Sequence, residues 1–228
     1  MQQSLITVVY SHGRHGSPWF GFKIEALRPV ALKMGVNIIS VSYPESMPVE
    51  QMEEKLLDVC KDEINIPGDL IFLSSSRGAY ISTLVSQRII DYYATEGVRK
   101  DGDKNLPTRK LLGQFLIAPA FYIKADYYPN QNPAPAKIRT TIVHGFDDDV
   151  IECENSIKFA KKYQSQLYLI PGGHRLNSQR DRLCTLFESF LKDCVTDSNK
   201  SFNEWLKENK IHSEVESDHA APKHLSGK

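Results

Sequence analysis

Residues 70–80 read Leu70-Ile71-Phe72-Leu73-Ser74-Ser75-Ser76-Arg77-Gly78-Ala79-Tyr80. An apolar run stops at three serines, and a helical pattern resumes directly after Gly78. A strand that turns this sharply into a helix needs small residues two before and two after the turning residue, because larger side chains collide there. Each serine can be tested against that requirement. Ser74 has Phe72 two before it, which is too large. Ser75 is flanked by Leu73 and Arg77, both too large. Ser76 has Ser74 before it and Gly78 after it, and it alone fits. Ser76 is therefore a candidate nucleophile on an elbow of the G-x-S-x-G type, with Ser74 in the place of the first glycine. The competing reading is a polar strand-to-helix turn.

Outward from this elbow, apolar runs alternate with longer amphipathic stretches, the sequence form of βαβ units around a parallel sheet. Strands are expected at 5–10, 36–41, 69–73, 111–117, 139–143 and 166–170. Their apolar character is continuous rather than alternating, which fits burial on both faces. Helical patterns occupy 22–34, 49–61, 78–93, 154–163 and 178–192. The fold class expected is α/β: a three-layer α/β/α sandwich with a mostly parallel sheet of about six strands. Two segments interrupt the alternation. Residues 94–109 are polar and charged and read as a surface excursion. Residues 118–138 carry Phe121, Tyr122, Tyr127, Tyr128 and four prolines, and are expected to cover the C-terminal edge of the sheet. The domain boundary is placed at 196/197: a catalytic domain over 1–196, then a polar extension over 197–228 with one short helix near 202–210, packed by Trp205. From His212 onward the composition is that of a disordered tail, in which His219 and His224 are solvated.

Bulk properties exclude several functions. The 228 residues suit one domain with a real core. Lys plus Arg equals Asp plus Glu, 28 against 28, so no global field draws in nucleic acid or an anionic membrane. No apolar run approaches the roughly 20 residues that span a bilayer, and the N-terminus lacks the basic start of a secretory signal. Cys60, Cys153, Cys184 and Cys194 are scattered without metal-site spacing, and reduced thiols in a cytoplasmic protein are expected.

A serine hydroxyl is a weak nucleophile and needs a base with an orienting group behind it. After the fifth strand comes His144-Gly145-Phe146-Asp147-Asp148-Asp149-Val150-Ile151. After the sixth comes Pro171-Gly172-Gly173-His174-Arg175-Leu176. His174 stands in a glycine-flanked turn just before a helix and is the candidate general base. The order serine, acid, histidine, each after a strand, is that of one hydrolase arrangement.

On these residues the chain resembles the α/β-hydrolase superfamily, particularly its small members with little or no cap domain. The resemblance runs from about Ser4 to Asp193. Its acid loop, H-G-x-x-D-x-x-V/I, laid on His144-Gly145, implies Asp148 as the triad acid; Asp147 and Asp149 are alternatives, and one of them can also cap the following helix. The G-G-H loop implies His174 as the base, while His144 is read as structural. The oxyanion donors implied are the backbone N–H of Arg77, after the nucleophile, and that of Arg14, in the loop Ser11-His12-Gly13-Arg14-His15-Gly16 after the first strand. Because the chain enters that strand at once, the early antiparallel strands of larger relatives are expected to be absent.

What the resemblance implies is acyl transfer: hydrolysis of carboxylic esters, with small or short-chain acyl substrates the first choice. A thioesterase, an acyl-protein deacylase or a non-catalytic binding protein of the same fold are the alternatives. No cofactor and no metal are expected; the partner is a small-molecule acyl ester, without nucleic acid or stable membrane insertion. Trp19, Phe121, Tyr122 and Tyr127, with Phe20 and Tyr128, are candidates for an acyl-pocket wall, simple loop packing being the competing reading. Arg14, Arg77 and His15 are expected to place positive charge near the oxyanion site, which suits a substrate with an acidic group.

Overall fold

The computed structural model describes residues 5–95, 109–201, 204, 205 and 207. In chain order the elements are β1 (Ile6–Ser11), α1 (Phe22–Lys33), β2 (Asn37–Val41), α2 (Val49–Lys61), β3 (Asp69–Ser75), α3 (Arg77–Thr95), β4 (Leu111–Ile117), β5 (Arg139–Gly145), α4 (Cys153–Tyr163), β6 (Gln166–Ile170) and α5 (Arg180–Ser198). The strands form one sheet in the order β2-β1-β3-β4-β5-β6. Every neighbouring pair is parallel.

The strand sequences explain the layers. Successive side chains of a strand point to opposite faces, so continuous apolar strands feed two cores. Leu70 and Phe72 of β3 join one core with Met52, Leu56 and Cys60 of α2, Ile81 and Val85 of α3, and Phe159 of α4. Ile71 and Leu73 join the other with Ile24 and Leu27 of α1 and Leu183, Phe187 and Leu191 of α5. The inner strands β1, β3, β4 and β5 are almost wholly buried, and the edge strands β2 and β6 only in part.

The strand order reverses direction at β1 and β3. The chain leaves β1 toward β2 on one side and returns to β3 on the other, opening a crevice at their carboxyl ends, where open α/β sheets hold their sites. Ser11, the last residue of β1, is in register with Ser74. The loop after β1 and the elbow after β3 therefore share one spot.

The fold changes two expectations. The boundary at 196/197 falls inside α5, and several of the described residues beyond it are tied to the domain. Ser198 is buried, its hydroxyl donating to Asp69 at 2.7 Å. The Lys110 ammonium donates to the carbonyls of Ser198 and Lys200, each at 2.7 Å. Glu204, Trp205 and Lys207 are helical, and the Trp205 ring is buried in the α2–α3 core. Arg109, read as the end of the polar excursion, is also buried. Its guanidinium donates to the carbonyls of Cys60, Ile66 and Gly68. The rest of that excursion (96–108) and the tail from His212 lie outside the described residues.

The aromatic segment does lie over the sheet's carboxyl edge. The Tyr80 hydroxyl of α3 donates to the Asn130 carbonyl at 3.1 Å and accepts the Asn130 N–H at 2.9 Å. Tyr128 packs edge-on against the Tyr80 ring, centroids 5.0 Å apart. Ser86 accepts the Ala136 N–H at 2.7 Å.

Candidate active site

Ser76 stands alone between β3 and α3 with φ 53°. That left-handed conformation costs a non-glycine residue roughly 1–2 kcal/mol, so the surroundings must hold it. The Ser76 N–H donates to the Ile117 carbonyl at 3.0 Å, and its own carbonyl accepts the N–H groups of Ala79, Tyr80 and Ala120. The small-residue rule acts here as hard contact. A Cβ at Gly78 would lie 2.2 Å from the Ser11 carbonyl oxygen, so only glycine lets α3 start against the end of β1. Ser74 is fully buried, and its hydroxyl has no hydrogen-bond partner among the described residues.

The acid and base loops meet in the same way. A Cβ at Gly145 would stand 2.0 Å from the Gly172 carbonyl oxygen; the backbones after β5 and β6 touch there. The Asp147 N–H donates to Gly172 C=O at 3.1 Å, and the Asp147 carboxylate accepts the Gly172 N–H at 3.3 Å. Asp147 is thereby spent on clamping the two loops. Asp149 lines the open cavity instead. Asp148 turns inward, its side chain fully buried. Its Oδ1 accepts the N–H groups of Val150 and Ile151, each at 2.9 Å. Its Oδ2 accepts His174 Nδ1–H at 2.8 Å and His144 Nε2–H at 2.9 Å. On its far side, His174 Nε2 lies 3.1 Å from Ser76 Oγ.

His144 is bound on both nitrogens. Nε2 faces two acceptors, Asp148 and the Ile151 carbonyl at 3.0 Å, so it carries the proton. Nδ1 then accepts from the Ser156 hydroxyl at 2.6 Å. Burial acts to raise the Asp148 pKa, but hydrogen bonds from His144, His174, Ile151 and Val150 outweigh it. They hold the carboxyl well below the usual carboxylate range.

The loop after β1 crosses the elbow. A Cβ at Gly13 would come within 3.1 Å of Ser76 Cβ. His12 supports this loop from within. Its Nε2 accepts the Tyr43 N–H at 3.1 Å, which leaves Nδ1–H to donate to Gly13 C=O at 2.8 Å. Burial lowers the His12 pKa, consistent with a neutral ring. Arg14 stands at the rim with its guanidinium 4.9 Å from the Tyr127 ring centroid.

An open cavity of about 1160 Å³ contains Ser76 and His174, and Gly13, Arg14, Tyr127 and Tyr128 are on its wall. Of the four aromatic residues expected in the wall, Tyr127 is there. Phe121 is not; it is fully buried, its ring stacked on Phe159 at 4.0 Å. Tyr122 is not; it packs against the core with the Lys158 ammonium over its ring. Trp19 is not; it sits outside under the Arg28 guanidinium. Phe20 and Phe22 of the loop–α1 junction do line the cavity. The charge expected from Arg77 and His15 is also spent elsewhere. The Arg77 side chain is buried with its guanidinium on the Glu45 carbonyl, and His15 pairs with the Glu45 carboxylate at 3.1 Å.

Sequence reasoning passed over Lys23. Its ammonium reaches Ser75 Oγ at 2.8 Å and the His174 carbonyl at 3.1 Å. The signal was available: Lys23 falls three and four residues before Ala26 and Leu27, on the face that α1 buries. Among the described residues no group of three or more His, Cys, Asp or Glu has a metal-holding arrangement, and no helix is long and apolar enough to cross a membrane.

No protein-family model matches the chain, and no curated protein is similar to it at a significant level. Solved structures are similar in fold. A serine hydrolase without a lid from Xanthomonas campestris superposes with a TM-score of 0.63 at 13% identity, over 83% of this chain and 82% of that one. An α/β serine hydrolase homologue from Coxiella burnetii gives 0.59 at 18% identity, over 84% and 86%. The mouse α/β-hydrolase domain-containing protein 10 gives 0.61 at 14% identity, over 84% and 90%. The protein thus has the α/β-hydrolase fold, as its motifs implied.

Proposed function

We propose that the protein is a serine hydrolase that cleaves carboxylic esters through an acyl-enzyme. The observation that carries this reading is the continuous hydrogen-bonded series Asp148 Oδ2–His174–Ser76 Oγ, at 2.8 and 3.1 Å, ending on a strained elbow. Asp148 is ionised and accepts His174 Nδ1–H, so Nε2 of the neutral ring is free to take the serine proton. Ser76 attacks the carbonyl as His174 takes that proton. Asp148 then stabilises the imidazolium. The tetrahedral oxyanion is bound by the N–H of Arg77 at the amino end of α3, where the helix dipole adds positive potential, and by that of Arg14. Each such donor contributes about two to three orders of magnitude in rate. His174 returns the proton to the leaving alcohol, and water releases the acyl group by the same steps in reverse.

The site opens on loops: the stretch after β1, residues 123–128 and the turn around 173–178. Among the described residues no inserted helical domain covers it, which favours small or short-chain acyl groups. A fluorophosphonate probe is expected to label the folded protein at Ser76, with labelling lost in Ser76→Ala. Labelling that persists in that variant, or that never occurs in the folded wild type, sinks the proposal. Matched oxyesters and thioesters separate esterase from thioesterase.

A further inference from the structure

Lys23 is a cation with no anion in contact with it among the described residues. Its two hydrogen-bond acceptors, Ser75 Oγ and the His174 carbonyl, are both neutral. An ammonium has three N–H groups, so one is left over. The side chain is half-buried and lines the cavity that holds Ser76 and His174. Burial draws its pKa down to about 8, Asp148 acting against that and Arg175 with it. The Asp148 carboxylate does not neutralise it by contact, since its oxygens already accept four N–H groups. Arg175, the residue after His174, is exposed, lines the same cavity, and has no hydrogen bond or ion pair among the described residues. Arg14 and His15 differ from these two: both stand within 4.0 Å of the Glu45 carboxylate. Asp149, the acid on the cavity wall, pairs with neither Lys23 nor Arg175.

Two cations beside a nucleophile, one of them partly desolvated and supplied only with neutral acceptors, are incomplete without an anion. Charge-assisted hydrogen bonds in a site of reduced polarity are the strong ones. We propose that Lys23 and Arg175 form an anion-binding subsite, and that the substrate is an ester bearing a carboxylate a few bonds from its scissile carbonyl. The substrate half of this inference rests on the ester-hydrolase reading; the subsite itself does not.

The test compares three esters of similar size. Ethyl hydrogen succinate carries its carboxylate in the acyl half, the butanoyl ester of glycolic acid carries it in the alcohol half, and ethyl butanoate is neutral. At least one anionic ester is expected to exceed the neutral one in kcat/KM by about tenfold or more, the effect of one charge-assisted hydrogen bond. Lys23→Met and, separately, the surface change Arg175→Gln are expected to reduce that ratio. Equal handling of all three esters overturns the subsite. So does a Lys23→Met variant that slows anionic and neutral esters by the same factor, because Lys23 would then only position the His174 loop. Calorimetric binding of the same esters to Ser76→Ala protein reads the subsite without catalysis. Tighter binding of an anionic ester there, with no turnover by wild type, leaves the subsite standing and removes the hydrolase reading. Binding without regard to charge removes the subsite whatever the turnover.

Discussion

Replacing Asp148 by Asn changes one atom and isolates the acid's role. Oδ1 of Asp148 accepts two backbone N–H groups and Oδ2 accepts two imidazole N–H groups. An amide has one oxygen and one NH2, so one pair of donors must meet another donor. The backbone N–H groups of Val150 and Ile151 cannot invert, so the amide oxygen takes their side. The NH2 then faces His144 and His174. His144 keeps the Ile151 carbonyl for its Nε2–H, so the loop retains most of its bonds and the fold survives. His174 must accept at Nδ1, which moves its proton to Nε2, the atom facing Ser76. The base is then occupied by a proton and cannot receive the serine's. The expected loss in kcat is on the order of 10³–10⁴-fold, the span of a general base together with its orienting acid. The assay is steady-state ester hydrolysis alongside the rate of fluorophosphonate labelling at Ser76, with circular dichroism to show that the variant is folded. A folded Asp148→Asn protein within about tenfold of wild type in both rates would refute the tautomer argument and, with it, the role given to Asp148.

Ser74→Ala removes a buried hydroxyl that has no partner and leaves the small residue the elbow needs. It is expected to stabilise the protein by about 1 kcal/mol, a rise of roughly 2–4 °C in Tm for a domain of this size, with Ser76 labelling retained; a fall in Tm refutes this. Trp205→Ala empties a buried position in the α2–α3 core and is expected to cost about 3–5 kcal/mol in urea unfolding, whereas an extension independent of the domain would leave the midpoint unmoved. The preference for anionic esters is expected to fall as pH rises through about 8, where Lys23 loses its proton. The charged or titratable groups facing it are Asp148, His174 and Arg175, and the Asp148 carboxyl is held far below that range. A ratio of anionic to neutral kcat/KM that stays flat from about pH 7 to 9 counts against Lys23 as the anion's partner.

Local sterics and periodicity carried a large share of what can be read in this chain. Strands at 111–117 and 166–170 and the helix at 49–61 coincide with the observed elements, because continuous apolar runs and an i, i+3, i+4 stripe each have one low-energy burial. Ser76 could be picked from three serines by volume alone, since the crowding it avoids is set by its neighbours in sequence and is then met at Gly78, where a Cβ would stand 2.2 Å from the Ser11 carbonyl oxygen. Where a choice depended on contacts between distant segments, the sequence left it open or pointed the wrong way. Asp147, Asp148 and Asp149 are chemically alike in one dimension; they separate only when the Gly145–Gly172 contact sends Asp147 to the clamp, Asp148 inward and Asp149 to solvent. Phe121 and Tyr127 belong to one aromatic segment, yet one is core and the other cavity wall. That division follows from the α4 face beneath them rather than from their own chemistry.

The chain's one-dimensional pattern was thus enough for the layered sheet, the elbow, and the order of serine, acid and base, because each follows from volume and burial within a short window. Three-dimensional packing decided that His144 shares the Asp148 carboxylate with His174, that Ser198, Lys200 and Trp205 are bound into the domain, and that Lys23, not Arg77, stands in the wall of the Ser76 cavity. The last two depend on groups that meet across 129 and 151 residues of chain, a separation over which hydrogen bonding and burial act but sequence periodicity carries no signal.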